Sequence, residues 1–98
     1  MKMIAYIAGK VSGLDLDSVR TKFNDAEKRL KDMGFDSFNP VQYCLSLGLT
    51  DWNECMKALL PIIQTCDSIY LLPDWNKSKG AKMELKEAIK HKLNVIHE

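Results

Sequence analysis

Ser68 to Leu72 is a short, mostly apolar run rich in β-branched and aromatic residues, and it constrains the fold of this chain most strongly. Asp67 precedes the run and Pro73 ends it. A continuous apolar run of this length is typical of a strand that is buried on both faces, as a parallel sheet requires. We therefore predict a central strand here, followed by a loop.

Three further short segments are predicted strands, and the first of them is apolar throughout. The first lies at the start of the chain, the second is followed by Asn39-Pro40, and the third lies close to the last residue. Their ranges are Met3–Ala8, Phe35–Phe38 and Leu93–Ile96.

Helical periodicity separates these strands. Asp15 or Asp17 is predicted to cap a first helix that ends at Gly34. Tyr43 to Leu49 fits either a loop or a helical turn. Thr50 or Asp51 opens a second main helix, which Pro61 is expected to kink or restart. The apolar face predicted for the first helix is Val19, Phe23, Ala26, Leu30 and Met33, and that of the second is Trp52, Cys55, Met56, Leu59, Leu60 and Ile63.

The alternation of strands and helices predicts an α/β fold. Right-handed crossovers give a parallel sheet with helices on both faces. We expect one domain over residues 1–98, a small Rossmann-like or flavodoxin-like three-layer sandwich with four strands in the order 2-1-3-4. Ligands of such sheets bind beyond the carboxyl ends of the strands, at the switch in strand order. The loops at that edge are Gly9–Gly13, Asn39–Leu49 and Pro73–Gly80.

Composition excludes several classes of protein. The net charge of +1 favours neither a nucleic acid polymer nor a membrane as partner. Three cysteines without paired spacing argue against a disulfide framework or a zinc site and fit a reducing cytoplasm. The segment Met1–Gly9 is too short and too weakly charged for a signal peptide. Gly9 and Gly13 do not complete the dinucleotide fingerprint, so we expect no nicotinamide cofactor. From the spacing of the cysteines we also expect no metal.

Glu84 is the unusual residue of the last helix, which is predicted from Ser78 to Lys92. Its packed face is expected to contain Ala81, Leu85, Ala88 and Ile89, and Glu84 falls on or beside that face. A carboxylate among apolar neighbours usually has a partner or a task. The helical period alone slightly favours the alternative, in which Glu84 lies in water at the edge of the apolar face.

Four motifs occur in a fixed order along the chain. They are Tyr-Ile-Ala-Gly at residues 6–9, Asn-Pro at 39–40, Cys-Asp-x-x-Tyr-Leu-Leu-Pro-x-Trp at 66–75 and Ser-x-Gly-Ala-x-x-Glu at 78–84. In this order they resemble the nucleoside 2-deoxyribosyltransferase superfamily, which includes 2′-deoxynucleoside 5′-phosphate N-hydrolases and short bacterial and phage proteins. The resemblance covers nearly the whole chain.

The resemblance implies a role for several residues. Glu84 matches the nucleophile that attacks the anomeric carbon of a 2-deoxyribose, and Tyr6 matches a tyrosine that orients the sugar and the nucleophile. Gly9 matches a glycine whose backbone lies against the ligand. Ser78 and Gly80 match the loop that receives the 5′ end, and a serine there is the pattern of the nucleotide hydrolases.

Other positions depart from the family or stay open. Leu59 stands where active members have an aspartate that handles the departing base. Ser12 replaces an arginine of the first loop, although Lys10 supplies a nearby positive charge. Asn39 belongs to a shared motif, and Trp75 either stacks on a base or packs against another subunit. The family's fifth strand and tail have no counterpart in the chain.

Two functions follow from the resemblance. The first is an N-glycosidase or deoxyribosyltransferase that acts on a nucleoside or a nucleoside monophosphate through Glu84. The second is a non-catalytic module that sequesters a nucleotide. A third possibility is an interaction protein in which only the fold survives. We also expect a homo-oligomer, because the apolar faces that include Trp52, Met56 and Leu60 exceed what one small domain covers.

Overall fold

The computed structural model describes residues 3–98. Met1 and Lys2, the start of the segment that the sequence analysis found too short for a signal peptide, lie outside the described residues. The strands are β1 (Ile4–Ala8), β2 (Asp36–Phe38), β3 (Ser68–Leu71) and β4 (Asn94–His97). The helices are α1 (Leu16–Asp32), α2 (Pro40–Ser46), α3 (Trp52–Ile63) and α4 (Lys79–Lys90), and a 3-10 turn covers Trp75–Lys77.

The four strands form one parallel sheet in the order β2-β1-β3-β4, which confirms the predicted fold and strand order. In the register of the sheet, Tyr6 of β1 pairs with Phe38 on one side and with Ile69 on the other. The chain leaves β1 and β3 towards opposite edges of the sheet. The switch point therefore lies between these two strands, where a parallel sheet forms its ligand crevice.

Helices pack on both faces of the sheet because successive strand side chains point in opposite directions. Ala5 and Ile7 of β1 face α1, where they pack in a buried cluster with Phe23 and Leu30. Tyr6 and Ala8 point to the other face and pack with residues of α3 and α4. The members of this second cluster from the helices include Leu59, Ile63, Ala81 and Ala88.

The ends of α1 follow the sequence closely. The Asp15 carboxylate accepts a hydrogen bond from the Ser18 N–H at 3.0 Å, so Asp15 rather than Asp17 is the N-cap. Gly34 has a φ of +90°, the left-handed conformation that favours glycine after a helix. Met33 was predicted on the packed face, and this is wrong: it lies at the C-cap and is 53% exposed.

The Tyr43–Leu49 segment, which the sequence left open, is helical as far as Ser46. Asn39 caps α2 by accepting hydrogen bonds from the backbone N–H groups of Val41 and Gln42. Pro40 occupies the first turn, where its missing N–H leaves no intrahelical bond unmade.

Helix α3 begins after Asp51, whose side chain accepts a hydrogen bond from the Glu54 N–H at 3.1 Å. The helix continues through Pro61 to Ile63, so of the two predicted effects of Pro61, a kink or a restart, the restart is wrong. Asp67 then accepts a hydrogen bond from the backbone of Ile4 at 2.8 Å and joins the starts of β1 and β3. Within residues 3–98, no helix has the length and apolar character needed to cross a bilayer.

Candidate functional site

Helix α4 buries a carboxyl group in its packed face. Ala81, Glu84 and Ala88 are the buried residues of the helix, and Glu84 is only 5% exposed. The packed face is therefore centred on Glu84. Two expectations from the helical period are wrong: Glu84 does not lie in water, and Ile89 is 60% exposed. The side of α4 that is buried is the side that packs against the sheet and α3. The helical period of α4 alone does not show which side that is.

Tyr6 is the partner of Glu84. Its side chain is completely buried on β1, and its hydroxyl donates a hydrogen bond to Glu84 Oε2. The Tyr6 ring stacks on Phe38 with a centroid distance of 5.4 Å and an interplanar angle of 15°. Neighbouring strands therefore fix the tyrosine, and the tyrosine fixes the carboxyl group.

Burial controls the ionisation of this pair. Loss of hydration raises the pKa of Glu84 to about 8, against the opposing effect of the Tyr6 hydrogen bond. Burial, followed by the adjacent Glu84, raises the pKa of Tyr6 well above its ordinary value. At neutral pH most molecules therefore hold Glu84 in its neutral form. Strongly shifted carboxyl groups of this kind concentrate at functional sites.

Glu84 lies on the wall of a cleft of about 390 Å³. Among the described residues that line the cleft, Glu84 alone has a carboxyl group. Tyr6 is not part of the lining and lies behind Glu84. The lining comes from the first loop, α1, α2, α3 and the start of α4: Gly9, Val11, Ser12, Leu16, Phe23, Pro40, Val41, Cys44, Leu45, Leu49, Thr50, Trp52, Cys55, Met56, Leu59, Ser78, Gly80, Ala81 and Glu84.

A basic pocket adjoins this cleft. The two share Ser12, Trp52, Ser78 and Gly80, so together they form one continuous surface. The remaining residues of the basic pocket are three lysines, and their positive charges suit an anionic group. They are Lys10, Lys77 and Lys79.

Ser78 stands at the junction of the cleft and the basic pocket. It is the N-cap of α4, and its Oγ accepts a hydrogen bond from the Ala81 N–H at 3.1 Å. A hydroxyl that accepts one hydrogen bond still has its own O–H to donate. Ser78 and the free N–H groups of the first turn of α4 can therefore both donate to an anion.

Asp74 holds the first loop against the loop that follows β3. Its carboxylate accepts hydrogen bonds from the Lys10 N–H at 3.0 Å and from Lys22 Nζ at 2.6 Å. Lys22 Nζ also donates to the Lys10 carbonyl at 2.6 Å. Partial burial acts to raise the pKa of Asp74, but these donors lower it below its ordinary value. The ion pair thus fixes Lys10, a residue of the basic pocket.

Gly9 is required by packing. A Cβ atom placed on Gly9 would lie 2.6 Å from Leu72 Cδ1 and 3.0 Å from Leu72 Cβ. Leu72 is completely buried, so it has no room to move. The sequence suggested that this glycine lets the backbone approach a ligand; Gly9 does line the cleft, but the structure supplies a sheet-packing reason as well.

A family model described as Domain of unknown function (DUF4406) matches residues 3–97. The chain belongs to this family. The match covers all four strands of the sheet and the four helices that pack on it. A comparison with curated proteins finds no match.

Most of the predicted site residues meet in this DUF4406 domain. Tyr6 lines neither the cleft nor the basic pocket but contacts Glu84, whereas Asn39 and Trp75 line neither and belong to other contacts. The Asn39 side chain caps α2 and donates to Glu27 at 2.6 Å. Trp75 packs against the buried cluster of α3 and α4, and its ring meets that of His97 edge-on at 6.2 Å.

The sequence placed the Asn39–Leu49 segment, which contains α2, at the ligand edge, but it did not predict the contribution of α3 to the cleft. Trp52 was assigned to a buried helix face, whereas it is 38% exposed on the rim of both pockets. Leu45 and Met56 also line the cleft. In a parallel sheet each crossover helix begins at the carboxyl edge of the strand before it. The start of α3 could therefore have been placed at the ligand edge from the sequence alone.

Two of the three free cysteines of the DUF4406 domain line the cleft. Burial first, and then the neighbouring Cys55 and Glu84, raise the pKa of Cys44 to about 12. Cys44 is thus an unreactive packing thiol at neutral pH. Among residues 3–98, no group of three histidine, cysteine, aspartate or glutamate side chains is arranged to hold a metal ion.

Proposed function

We propose that the cleft binds a nucleoside or nucleoside monophosphate and that Glu84 acts as the nucleophile that cleaves its N-glycosidic bond. The observation that carries the proposal is the buried carboxyl group of Glu84, held by Tyr6 on the wall of the cleft beside the strand-order switch. A carboxyl group that is desolvated, oriented and accessible from a cleft is suited to covalent catalysis. The motifs that resemble the nucleoside 2-deoxyribosyltransferase superfamily support the same chemistry.

The reaction requires the ionised form of Glu84. One carboxylate oxygen forms a bond to the anomeric carbon of the sugar while the bond from that carbon to the base nitrogen breaks. The electron pair of the broken bond leaves with the base, which takes a proton from water. A water molecule or a second base then displaces Glu84 from the sugar, loses a proton to the hydroxide left by the first step, and regenerates the carboxylate. Tyr6 is a positioning residue, because it holds the carboxyl group from behind the cleft wall.

The basic pocket supports a phosphate at the 5′ end of the ligand. Ser78 has a hydroxyl hydrogen to donate, and it lies where the cleft meets Lys10, Lys77 and Lys79. A helix N-terminus with neighbouring ammonium groups favours a doubly charged phosphate over a neutral hydroxyl. Nucleoside monophosphates are accordingly the preferred ligands of this proposal.

A second candidate function is sequestration of a nucleotide without cleavage. Leu59 favours it, because this residue lines the cleft, is only 5% exposed and has no proton to give to a departing base. In this alternative the cleft and the basic pocket bind the ligand, and Glu84 contributes a hydrogen bond alone.

We propose that the protein acts as a homo-oligomer in the cytoplasm. Val11, Leu16, Leu45 and Trp52 are exposed apolar side chains around the cleft, with 43%, 51%, 39% and 38% of their surface accessible. A rim of this kind is typical of a surface that another subunit covers. Light scattering at micromolar concentration tests the assembly, and a monomeric mass would contradict it.

The test of the enzymatic proposal is the release of free base from a panel of deoxynucleoside monophosphates, followed by chromatography. Glu84→Gln should abolish release and leave affinity within about tenfold, because the amide is nearly isosteric but forms no glycosyl ester. Tyr6→Phe should lower kcat more than it changes KM, because the carboxyl group loses its orientation.

Glu87→Gln is the matched control. Glu87 lies on the same helix one turn from Glu84, and its carboxylate faces His91 Nε2 at 3.6 Å, outside the cleft lining. Its turnover should equal that of the unmodified protein. Base release that persists undiminished in Glu84→Gln would refute the nucleophile, and binding without release from any nucleotide would favour sequestration.

A further inference from the structure

Strand β4 forms one edge of the sheet, and the outer side of its backbone is open. In a parallel pair, alternate residues direct both their N–H and their C=O group to the neighbouring strand. Asn94 and Glu98 donate to carbonyl groups of the β3 segment at 3.1 Å and 3.0 Å, so Ile96 between them faces β3 as well. The N–H and C=O groups of Val95 and His97 therefore point away from the sheet, and no group in the described part of the chain bonds to them.

The opposite edge of the sheet is protected against pairing. Strand β2 has only three residues, begins with the exposed Asp36 and is followed two residues later by Pro40. Asp36 donates to the Met3 carbonyl at 2.9 Å, so Ser37 is the residue of β2 that directs its N–H group away from β1. Short length, charge and proline are the features that keep an edge strand from pairing. Strand β4 has four residues and contains no lysine, acidic residue or proline, so it is the edge that can accept another strand.

Exposed apolar side chains accompany the open edge. Val95 is 41% exposed, and Ile89 near the end of α4 is 60% exposed. Helix α4 connects β3 to β4 and packs on both strands. A Cβ atom placed on Gly80 would lie 3.7 Å from the Met56 sulfur, so this side of α4 faces α3. Ile89 comes about two and a half turns later and lies on the opposite side of the helix, which overlooks the edge of β4.

The outward groups of β4 are complementary to those of an identical strand. Val95 and His97 each offer one donor and one acceptor, and they lie symmetrically about Ile96. In an antiparallel pair with a two-fold axis at Ile96, Val95 of each subunit stands opposite His97 of the other, and each such pair exchanges two hydrogen bonds. Asn94 of one subunit then stands opposite Glu98 of the other, so no like charges face each other in the strand pair.

We propose that β4 binds a second copy of this chain, edge to edge and antiparallel, so that two four-stranded sheets become one continuous sheet. A second copy fits better than an unrelated strand because the same residues supply every donor and every acceptor. Val95 and Ile89 of both subunits lie on the α4 face of the joined sheet beside the axis, where association removes apolar surface from water. The residues of β4 line neither the cleft nor the basic pocket, so this interface is separate from the cleft rim and does not depend on the proposed function.

Amide hydrogen exchange measured by NMR tests the hydrogen bonds between the subunits. The Val95 and His97 N–H groups should exchange about tenfold more slowly at a protein concentration where a tenth of the subunits remain unpaired than in dilute protein. The Ser37 N–H group, which points outward at the other edge, is the matched control and should exchange at one rate. The salt concentration is high enough to screen the exposed lysines of α4, whose charges repel across the axis. Exchange at Val95 that is independent of protein concentration overturns the proposal.

Val95→Pro and Ser37→Pro form a matched pair of variants. Each removes an N–H group that makes no bond within the subunit, and an edge strand tolerates proline at such a position. Val95→Pro should sediment as a monomer, whereas Ser37→Pro should keep the mass of the unmodified protein; circular dichroism checks that both are folded. Val95→Lys leaves the backbone unchanged and should weaken the association by about tenfold, because a charge on an edge strand opposes pairing. An unchanged mass in both Val95 variants overturns the proposal.

Ile96→Cys tests the register of the strand pair. Ile96 faces its own copy across the axis as a non-hydrogen-bonded pair, with Cα atoms about 4.5 Å apart, a separation that suits a disulfide. Oxidised glutathione should take two electrons and two protons from the two new thiols, so that an intersubunit disulfide appears as a dimer in non-reducing electrophoresis. Val95→Cys is the control, because its copies lie diagonally and too far apart to be bridged. Equal cross-linking of the two variants would contradict this register.

Sedimentation from micromolar to millimolar concentration separates this interface from the assembly proposed at the cleft rim. If the unmodified protein is a dimer and Val95→Pro is a monomer, the edge interface stands and the rim interface fails. A tetramer that Val95→Pro reduces to a dimer would support both interfaces. If the protein is an oligomer whose mass neither Val95 variant changes, the rim interface stands and the edge interface fails. A monomeric mass over the whole range overturns both.

Discussion

Replacement of Glu84 by glutamine should stabilise the protein increasingly as the pH rises. In the unfolded chain the Glu84 carboxyl group loses its proton near its ordinary pKa of 4.5, whereas burial holds the proton in the folded chain to about pH 8. Between these values the folded state binds more protons than the unfolded state. The free energy of unfolding of the unmodified protein therefore falls with rising pH, by about 1.4 kcal/mol per pH unit for this group.

The glutamine variant lacks this penalty. Its amide oxygen still accepts the Tyr6 hydroxyl, so the hydrogen bond that orients the side chain is retained. Between pH 5 and pH 8 the free energy of unfolding of Glu84→Gln should rise relative to the unmodified protein by roughly 3 kcal/mol. Above about pH 8 the difference becomes constant, since Glu84 is then ionised in both states.

Urea unfolding at pH 5, 6, 7 and 8, followed by circular dichroism, measures the difference directly. Glu54→Gln controls for the loss of a carboxylate from the surface, because Glu54 is exposed in the first turn of α3. Its free energy of unfolding should follow that of the unmodified protein at each pH. A difference between Glu84→Gln and the unmodified protein that does not grow with pH would refute the argument that a desolvated carboxyl group is retained at the expense of stability.

Three other predictions concern turnover, ligand preference and packing. If the protein is an N-glycosidase, kcat/KM should rise with pH to a plateau above pH 8, because Glu84 must ionise, and a profile that falls with pH would identify Glu84 as a proton donor instead. In calorimetry, Ser78→Ala should weaken the binding of nucleoside monophosphates more than that of nucleosides, and an equal loss of affinity for both would place the phosphate elsewhere. The same change should lower the free energy of unfolding by about 1 kcal/mol, because α4 loses its N-cap. Gly9→Ala should lower the free energy of unfolding by about 1–3 kcal/mol, because its new methyl group would clash with Leu72. The control is Gly80→Ala, whose new methyl group would lie 3.4 Å from Trp52 Nε1 and should not destabilise the protein. Equal unfolding midpoints in urea for the two variants would contradict the packing account of Gly9.

The sheet was predictable because its information is local. The run from Ser68 to Leu72 has the continuous apolar character that a strand buried on both faces requires, and the structure places β3 in the middle of the sheet. Asp15 and Gly34 mark the ends of α1 by their own side-chain and backbone chemistry. Helix α2 was left open although Asn39 followed by Pro40 is a helix start, because the same dipeptide also ends a strand.

The site was less predictable because its residues are brought together by packing. The helical period of α4 does not reveal that the Tyr6 hydroxyl on β1 donates a hydrogen bond to Glu84. The period therefore could not show that Glu84 belongs to the buried face of the helix. The same limit applies to Ile89, which has the right spacing but faces away from the sheet. Trp75 was selected as an aromatic residue in a loop and Asn39 as part of a shared motif, and the motif does not reveal that Trp75 meets His97 or that Asn39 donates to Glu27.

The hydrogen bond between Tyr6 and Glu84 joins positions that are 78 residues apart, on the first strand and the last helix. No fragment that lacks either end of the chain contains the site, and a chain still being synthesised acquires it only when α4 has docked. A ligand that requires Glu84 therefore binds the completed fold and not its precursors. By mass action such a ligand stabilises the whole domain, and above its Kd the free energy of unfolding rises with the logarithm of the ligand concentration. A rise in the melting temperature on adding the ligand therefore reports that the complete fold has formed.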